Sequence, residues 1–491
     1  MKPNIISLYA ALMLGGCTMI PHYDRPAAPV ARAYPAGSAY QYDPTSAPVL
    51  SADQVAWQDF YRDPVIRDLI QEGLANNRDY RIAQQQIQAA SAQFDIENAA
   101  LFPNLNGTAG ASVQKFQSNI LHGYPGSGAL FTRRYGVGFG ISAYEVDLWG
   151  RVRSASQAAF DRYMNDVFNR ESVDIALKAS IATTVLNWVA NNQGCLTTTD
   201  ILKTWQKTYD LIAEEKRTGS ANDLDVAEAE EALREAQKQL EIYERQRAQA
   251  LNQLVLLVGH DLSEAQKRAL ERKRTLTDVT PFPDVPAGLP SDLLARRPDV
   301  LAAEQTLKAS NDDIGEARAE FFPRIQLTAD NGTASNNIKH LFQSGMGAWD
   351  VAPTITMPLF DAGRLTAQLK QAKARKRSEI ASYERTVQNA FREVADALAA
   401  RGTYMRQSEA QRLFVGASNR QFTLASARFS AGAESYLDTL VAQRTYFNAV
   451  VEGIAVELSR LSNSVTLYQA LGGGWGAITP NPPFRVEEHI L

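Results

Sequence analysis

The sequence contains few of the residues from which catalytic and metal centres are usually built. Its 491 residues include two cysteines and five histidines, and the histidines are scattered without the spacing of metal ligands. Two cysteines cannot form a disulfide framework. The sequence presents no catalytic triad, no pair of catalytic acids and no Gly-x-x-x-x-Gly-Lys-Ser/Thr loop for a nucleotide. We therefore predict that the chain is not an enzyme and binds no metal or organic cofactor.

The chain also lacks an excess of charge of either sign. Its formal net charge is −4, with 21% charged and 45% hydrophobic residues. The absence of a basic excess argues against nucleic acid as a partner. The composition is typical neither of a disordered chain nor of a protein built from transmembrane helices. A chain of this length can hold several ordinary domains.

The N-terminus resembles an export signal followed by a lipidation site. Lys2 precedes the apolar run Ile5 to Leu14, which is too short to span a bilayer. The next residues, "LGGC" ending at Cys17, resemble a bacterial lipobox, in which residues 1–16 are removed and the cysteine is acylated. Several acyl chains on this cysteine would anchor the protein firmly in a membrane, since each buried methylene contributes ~0.8 kcal/mol. The alternative is a plain signal peptide with an incidental cysteine. The second cysteine, Cys195, is predicted to be an unpaired, buried residue.

The distribution of proline indicates long helices. Residues 17–56 are rich in proline and predict an extended leader. The first helix signal is Asp63 followed by Pro64, an acidic N-cap with proline at the first helical position. The stretches 151–215 and 364–429 are free of proline and helical in pattern. About 65 residues of continuous helix would span ~100 Å, which indicates a coiled coil or a helical tube.

The chain contains an internal repeat. Matching residues recur 213 positions apart: Gly219 with Gly432, Leu224 with Leu437, Asp225 with Asp438, and the Gly-Arg of "LWGR" with that of "LFDAGR". These matches define a first repeat at about 57–275 and a second at 297–472. A proline-rich linker, 276–296, joins them, and 473–491 form a C-terminal tail. A duplication of this size predicts a pseudo-symmetric architecture.

Each repeat contains two segments of period two, which predicts strands. The predicted strands lie at about 105–116, 134–146, 324–333 and 347–358. In the second of them, Tyr135, Val137, Phe139 and Ile141 alternate with glycine and serine. Alternation between an apolar face and a small or polar face suits a tilted membrane-spanning strand.

Four strands are too few to close a barrel. An open sheet edge is too costly in a bilayer, because its N–H and C=O groups find no water. Two chains would give eight strands around a filled interior, whereas three would give twelve and leave room for a passage. The pattern therefore predicts a homo-oligomer, and a trimer before a dimer. The alternative is a soluble pair of hairpins packed on the helices of a periplasmic protein.

Taken together, these features resemble the outer membrane factor family, the TolC-like exit ducts of Gram-negative bacteria. Within it they resemble the lipoprotein drug-efflux branch of OprM type. The carriers are the lipobox, the duplicated Gly-x-x-x-x-Leu-Asp segment, "RRPDVLAAE" (296–304), "DLWGR" (147–151) and "LYQALGGGW" (467–475).

The resemblance implies a fold and a set of partners. The fold is mainly α with a membrane β-barrel portion: a homotrimer with a 12-stranded barrel and a long α-helical periplasmic barrel. The partners are a periplasmic adaptor protein, an inner-membrane transporter and outer membrane lipid, and the only attached group is the lipid on Cys17. The location is the cell outer membrane, with the helical part in the periplasm.

The family places acidic rings at the periplasmic entrance, near the Leu-Asp of the second repeat. The matching residue is Asp438, and its counterpart in the first repeat is Asp225. Arg444 and Phe429 are further candidates for contacts that close the passage. The sequence departs from related patterns at Val441, where some relatives have an acid, and at Glu434, where one type has an arginine. The alternative is that both aspartates only cap helices, since Asn222 and Ser435 precede them by three residues.

Three functions remain open at this point. The first is a passive efflux duct that exports drugs or other small molecules delivered by a pump. The second is a polypeptide secretion duct, and the third is a periplasmic coiled-coil structural lipoprotein. Alanines at 227, 229, 232 and 236 predict either a groove for an adaptor hairpin or ordinary close helix packing.

Overall fold

The computed structural model describes most of the chain. The described residues are 18–42, 55–117, 129–286, 288, 290, 297–433 and 435–475. Cys17 and Glu434 lie outside these ranges, as do the signal segment 1–16 and most of the tail.

Helices dominate the described chain. Their bounds are α1 Trp57–Phe60, α2 Pro64–Asn76, α3 Arg78–Ala99, α4 Arg151–Thr218, α5 Asp223–Val258, α6 Glu264–Glu271, α7 Pro298–Ala319, α8 Arg364–Ser430 and α9 Tyr436–Ala470. The Asp63 carboxylate accepts a hydrogen bond from the Val65 amide at 3.0 Å and so caps α2, as its sequence predicts. The short α1 was not predicted. It precedes this cap and lies at the end of the proline-rich leader.

One helix passes a simple test for a membrane span. By length and composition, α4 contains an 18-residue window apolar enough to cross a bilayer, but 67% of that window is buried inside the protein. Such burial is typical of a core helix.

The four strands of the described chain form one antiparallel sheet in the order β1-β2-β3-β4. Their bounds are β1 Leu105–Gln117, β2 Ala129–Glu145, β3 Arg324–Ser335 and β4 Gly347–Thr356. The prediction of β2 was wrong at its start, since β2 begins five residues before the predicted 134. Its ladder with β1 continues to the pair Gln117–Ala129, so residues 129–133 belong to the strand although they directly follow a glycine- and serine-rich stretch. β4 ends two residues before the predicted 358.

The chain divides into two compact units. The first comprises Met1–Ala27, Gln86–Asp166 and Ala303–Tyr383, and the second comprises Ala28–Gln85, Val167–Ala302 and Glu384–Leu491. Each unit takes segments from both halves of the sequence, so the units cut across the predicted repeats. The repeat boundaries themselves stay a prediction.

The first unit contains the sheet and its helical base. Beside β3, the Trp149 indole donates to the Pro323 carbonyl at 2.9 Å and stacks on Phe322. Arg151, at the start of α4, makes a bidentate ion pair with Glu145 at the end of β2. The "DLWGR" and "FFPR" segments therefore connect the ends of the strands to the neighbouring helices.

The second unit has an aromatic core. Phe60 stacks on Tyr468 with 3.8 Å between ring centroids and on Phe282 with 5.3 Å. The predicted linker contributes to this core, since Leu276, Val279 and Val285 are buried. Cys195 is buried and free, as the sequence predicts.

A buried arginine gives the "RRPDV" segment a structural role. Arg297 donates to the Ala470 carbonyl at 2.9 Å, at the end of α9, and pairs with Asp299 and Glu393. A guanidinium can satisfy all three partners because of its planar fork of donors. After Ala470 the glycines 472–474 have positive φ and end the helix.

These elements confirm the predicted fold class at the level of one chain: long helices with four strands.

Candidate functional site

The sheet has two faces of different chemistry. Cross-strand partners share a face, so the ladder places Leu105 beside Ile141 and Asn331 beside Trp349. This face is predominantly apolar and exposed in the single chain: Leu105, Val113, Phe131, Val137, Phe139, Trp349, Val351 and Ile355. The opposite face is polar or small: Asn106, Thr108, Gly110, Ser112, Arg134, Gly136, Gly138, Gly140, Asp330, Gly332 and Asp350.

Both outer strands of the sheet have an edge that the described chain does not pair. β1 bonds only to β2, and β4 bonds only to β3. A large exposed apolar surface indicates contact with lipid or another chain. Unpaired strand edges are sites for further strand addition.

The second unit contains two equivalent turns between long helices. Gly219 follows α4 with φ 82°, and Gly432 follows α8 with φ 70°. After each glycine, the next amide donates back to a carbonyl of the last helical turn, at 2.8 and 2.9 Å. This is a Schellman arrangement, which favours glycine because of the left-handed backbone.

The helices that follow these turns begin differently. At α5 the capping box is complete: Asn222 accepts from the amides of Leu224 and Asp225, and Asp225 accepts from the Asn222 amide at 2.9 Å. At α9 the Ser435 hydroxyl makes no cap bond to the backbone and instead donates to the Asp438 carboxylate at 2.6 Å. Asp225 is therefore used to cap a helix, whereas Asp438 is exposed and free of a backbone cap.

An apolar cluster holds these two helix starts together. Its buried members are Trp205, Ile212, Ala229, Ala232, Leu233, Ala236, Tyr436, Leu440 and Phe447. Three of the four α5 alanines thus serve close helix packing, and Ala227 alone is exposed. This favours the packing interpretation over an open groove on that face.

Tyr436 connects the second turn to α5. Burial, with the nearby Glu228 and Asp225 charges, raises the pKa of its hydroxyl to about 12. The ring of the candidate Phe429 lies 5.7 Å from that of Tyr436. Tyr436 therefore stays neutral near neutral pH and anchors α9 beside the capped start of α5.

Arg444 makes an ion pair that joins α9 to α5. Its guanidinium lies 3.4 Å from the Glu231 carboxylate, and both side chains are more than half exposed. Val441, one turn before it, is also exposed. The structure thus places Phe429 and Asp225 near Tyr436, and Arg444 beside Glu231. Asp438 bonds to Ser435.

Sequence reasoning missed Tyr436 and Glu231. Each lies near a residue that the sequence pattern identifies, but pairing α5 with α9 depends on contacts about 200 positions apart. The only available signal was the position of Tyr436 directly after the N-cap Ser435.

Comparison with known proteins identifies one family. Residues 69–260 and 289–473 match the family described as outer membrane efflux protein. The antibiotic efflux pump outer membrane protein ArpC of Pseudomonas putida is 41% identical over 476 residues, covering 97% of this chain and 96% of that protein.

Solved structures give the same result. A membrane protein from Pseudomonas aeruginosa has a TM-score of 0.85 and 37% identity, covering 93% of this chain and 100% of that one. The open state of the Neisseria gonorrhoeae MtrE outer membrane channel has a TM-score of 0.81 and 34% identity, covering 93% and 98%.

Proposed function

This chain belongs to the outer membrane efflux protein family, and from that premise we propose that three copies form a passive exit duct for antibiotics and other small molecules. It is an outer membrane protein whose helical part lies in the periplasm. A periplasmic adaptor and an inner-membrane transporter deliver the exported molecules and supply the energy. The transport step makes and breaks no covalent bond.

The unpaired edges of the sheet carry this proposal. In lipid, backbone groups at the edges of β1 and β4 must find partners, and another copy of the same sheet offers them. Three copies give twelve strands, and the glycine-rich polar face then lines a passage wide enough for solutes. The exposed apolar face, with Trp349 and Phe139, turns to the lipid.

We also propose that Cys17 is acylated and anchors the chain to the same membrane. The Cys17→Ala variant is expected to stay embedded, because the barrel and not the lipid holds it there. Carbonate washing of membranes and native mass spectrometry in detergent test this. Retention in the membrane with a three-subunit mass supports the proposed duct. Release of a single folded subunit would contradict the proposed duct and favour an anchored periplasmic lipoprotein. Loss of palmitate labelling in the variant tests the acylation separately.

A polypeptide secretion duct is the second candidate. The antibiotic efflux function in the name of ArpC favours small molecules. A strain that lacks the gene separates the two: efflux predicts higher antibiotic susceptibility, whereas secretion predicts missing exported proteins with unchanged susceptibility.

We propose Asp438 as the acidic ring of the periplasmic entrance. An acidic ring attracts cations and repels anions, and one charge at 4 Å in water contributes about 1 kcal/mol. Asp438→Ala removes both the attraction for cations and the repulsion of anions, so the cation-to-anion permeability ratio in planar bilayers is expected to fall by up to roughly thirtyfold.

Two variants serve as controls for Asp438. Asp225→Ala removes half of a capping box, so we expect a loss of about 1 kcal/mol of stability and unchanged selectivity. Val441→Asp adds a carboxylate three residues along the same helix face and is expected to raise the cation preference. An unaltered permeability ratio in Asp438→Ala would contradict a role of Asp438 in the acidic ring of the entrance.

A further inference from the structure

Two buried aspartates face each other in the first unit. Asp161 lies on α4 and Asp312 on α7, and each side chain is about 6% exposed. Beside them the ion pair between Arg162 of α4 and Asp313 of α7 joins the same two helices, and the two buried carboxyl groups lie within hydrogen-bonding reach of each other. This burial occurs within one chain, so it does not depend on oligomer assembly.

The charged groups around the pair also have other partners. Facing it are Gln157 and Arg162 from α4, Lys308, Asn311 and Asp313 from α7, and Lys376 from α8, which bonds to Asn311. Arg162 makes a bidentate ion pair with Asp313 at 2.6 and 2.7 Å. Lys308 lies 4.0 Å from Glu304, and Lys376 donates to the Asn311 carbonyl oxygen at 2.7 Å.

Burial raises the pKa of Asp161 more than Lys308 and Arg162 lower it, so two adjacent buried carboxylates cannot both be ionised at low cost. Burial raises the pKa of Asp161 to about 6. Burial, followed by the neighbouring Asp161 charge, raises the pKa of Asp312 to about 7. The pair therefore retains at least one proton up to about pH 7, well above the ordinary carboxyl range.

We propose that Asp161 and Asp312 share one proton and form a pH-sensitive latch between α4 and α7. With the proton, an acid–carboxylate hydrogen bond joins the two helices. Without it, two like charges meet in a buried position. Since α4 belongs to the first half of the sequence and α7 to the second, the latch joins the two halves of the chain.

The sign of the pH effect follows from the raised pKa values. The folded chain binds more protons than the unfolded chain, whose carboxyls titrate near 3.8. Stability therefore falls as the pH rises from about 4 to about 7 and then levels off. The latch is fully closed in acid and is released at and above neutral pH.

Opening of the latch is expected to affect the junction between the helices α4 and α7 and the strands β2 and β3. Asp312 lies two turns before the end of α7, and Arg324 begins β3 five residues after that end. On the other side, Arg151 at the start of α4 reaches both Glu145 of β2 and Glu316 of α7.

Hydrogen exchange of the full-length detergent-solubilised protein tests the latch. Amides of α4 around 161 and of α7 around 312 are measured at pH 5 and pH 8, corrected for the intrinsic rate. In the wild type we expect the local opening constant to grow with pH up to about pH 7, by up to roughly tenfold per pH unit for each proton that opening releases. Asp312→Asn removes one of the two titrating groups and leaves only the burial of Asp161, so its pH dependence should be clearly weaker than that of the wild type.

Asp313→Asn is the matched control, one residue away on the same helix. It breaks the Arg162 ion pair and should increase opening equally at both pH values while retaining the wild-type pH dependence. If Asp312→Asn fails to fold, Asp161→Asn and the infrared carbonyl band of the protonated acid in the wild type take its place. A flat wild-type profile, an Asp312→Asn profile as steep as that of the wild type, or no protonated-acid band that titrates in this window overturns the proposal.

Discussion

Replacing Gly332 by valine is expected to prevent assembly of the channel in the outer membrane. Gly332 of β3 lies directly opposite Gly138 of β2. A Cβ atom on Gly332 would lie 2.3 Å from the Val137 carbonyl oxygen and 2.5 Å from the Gly138 Cα. These neighbours are backbone atoms in the middle of a ladder, so they cannot move aside without breaking strand pairing.

The cost of this substitution is large because it acts on the backbone. Overpacking a core side chain costs about 1–3 kcal/mol, and here the displaced atoms also hold hydrogen bonds that lipid cannot replace. The measurement is the fraction of chain that forms SDS-resistant oligomer in outer membranes, and we expect it to fall more than tenfold.

Gly110→Val provides the matched control for this effect. Gly110 lies on the same polar face, pairs with Gly136 across β1 and β2, and has nothing within 4 Å of an added Cβ. The same valine should therefore be tolerated there. Equal assembly of the two variants would contradict close backbone approach as the role of Gly332.

The strands could be predicted from the sequence, but the role of their glycines could not. Period two located the apolar and polar faces because side-chain direction is a local property. Register between β2 and β3 joins positions about 200 residues apart, and only register reveals that Gly138 meets Gly332. The early start of β2 was missed for the same reason: pairing with β1 extends the strand over residues 129–133, which directly follow a glycine- and serine-rich stretch.

At the candidate entrance, too, local features could be predicted from the sequence and contacts between helices could not. The repeat alone located Gly219, Gly432, Asp225 and Asp438, because turn chemistry depends on adjacent residues. The capping pattern also suggested that the two aspartates are equivalent. The structure separates them, because Asp225 completes a capping box and Asp438 does not. The contacts of Tyr436 and Glu231 lie across two helices and had no local signal.

The proline-rich leader was predicted to be extended, and its docking was not predicted. Within the first unit, residues 18–27 lie along α7. Asn311 donates to the Pro21 carbonyl at 2.9 Å, and Arg318 donates to that of Met19 at 3.2 Å. Gly315 lets this segment approach, since a Cβ there would lie 2.6 Å from Ile20. Short contacts of this kind are invisible in composition.

Replacing Arg25 by alanine is expected to detach this segment. Arg25 makes a bidentate pair with Glu304 at 2.9 and 2.7 Å, and the Glu304 side chain is only 3% exposed. Without Arg25 the carboxylate stays buried, with Lys308 4.0 Å away as its remaining cation. Removing one partner of a buried ion pair costs about 3–5 kcal/mol, and the half-exposed position of Arg25 favours the lower end.

The double variant Arg25→Ala/Glu304→Gln identifies the cause. An amide at 304 needs no counter-charge, so the double variant should recover most of the stability lost in Arg25→Ala, as measured by melting temperature. Limited proteolysis gives a second readout, since residues 18–27 should be cleaved in both variants if contact with Arg25 holds the segment down. One informative result is that the double variant recovers its melting temperature while residues 18–27 are still cleaved. That result would show that the loss of stability comes from the unpaired Glu304 charge, whereas contact with Arg25 keeps the segment docked. If Arg25→Ala melts like the wild type, the ion pair contributes nothing measurable, and the segment is held by the two carbonyl contacts to α7 alone.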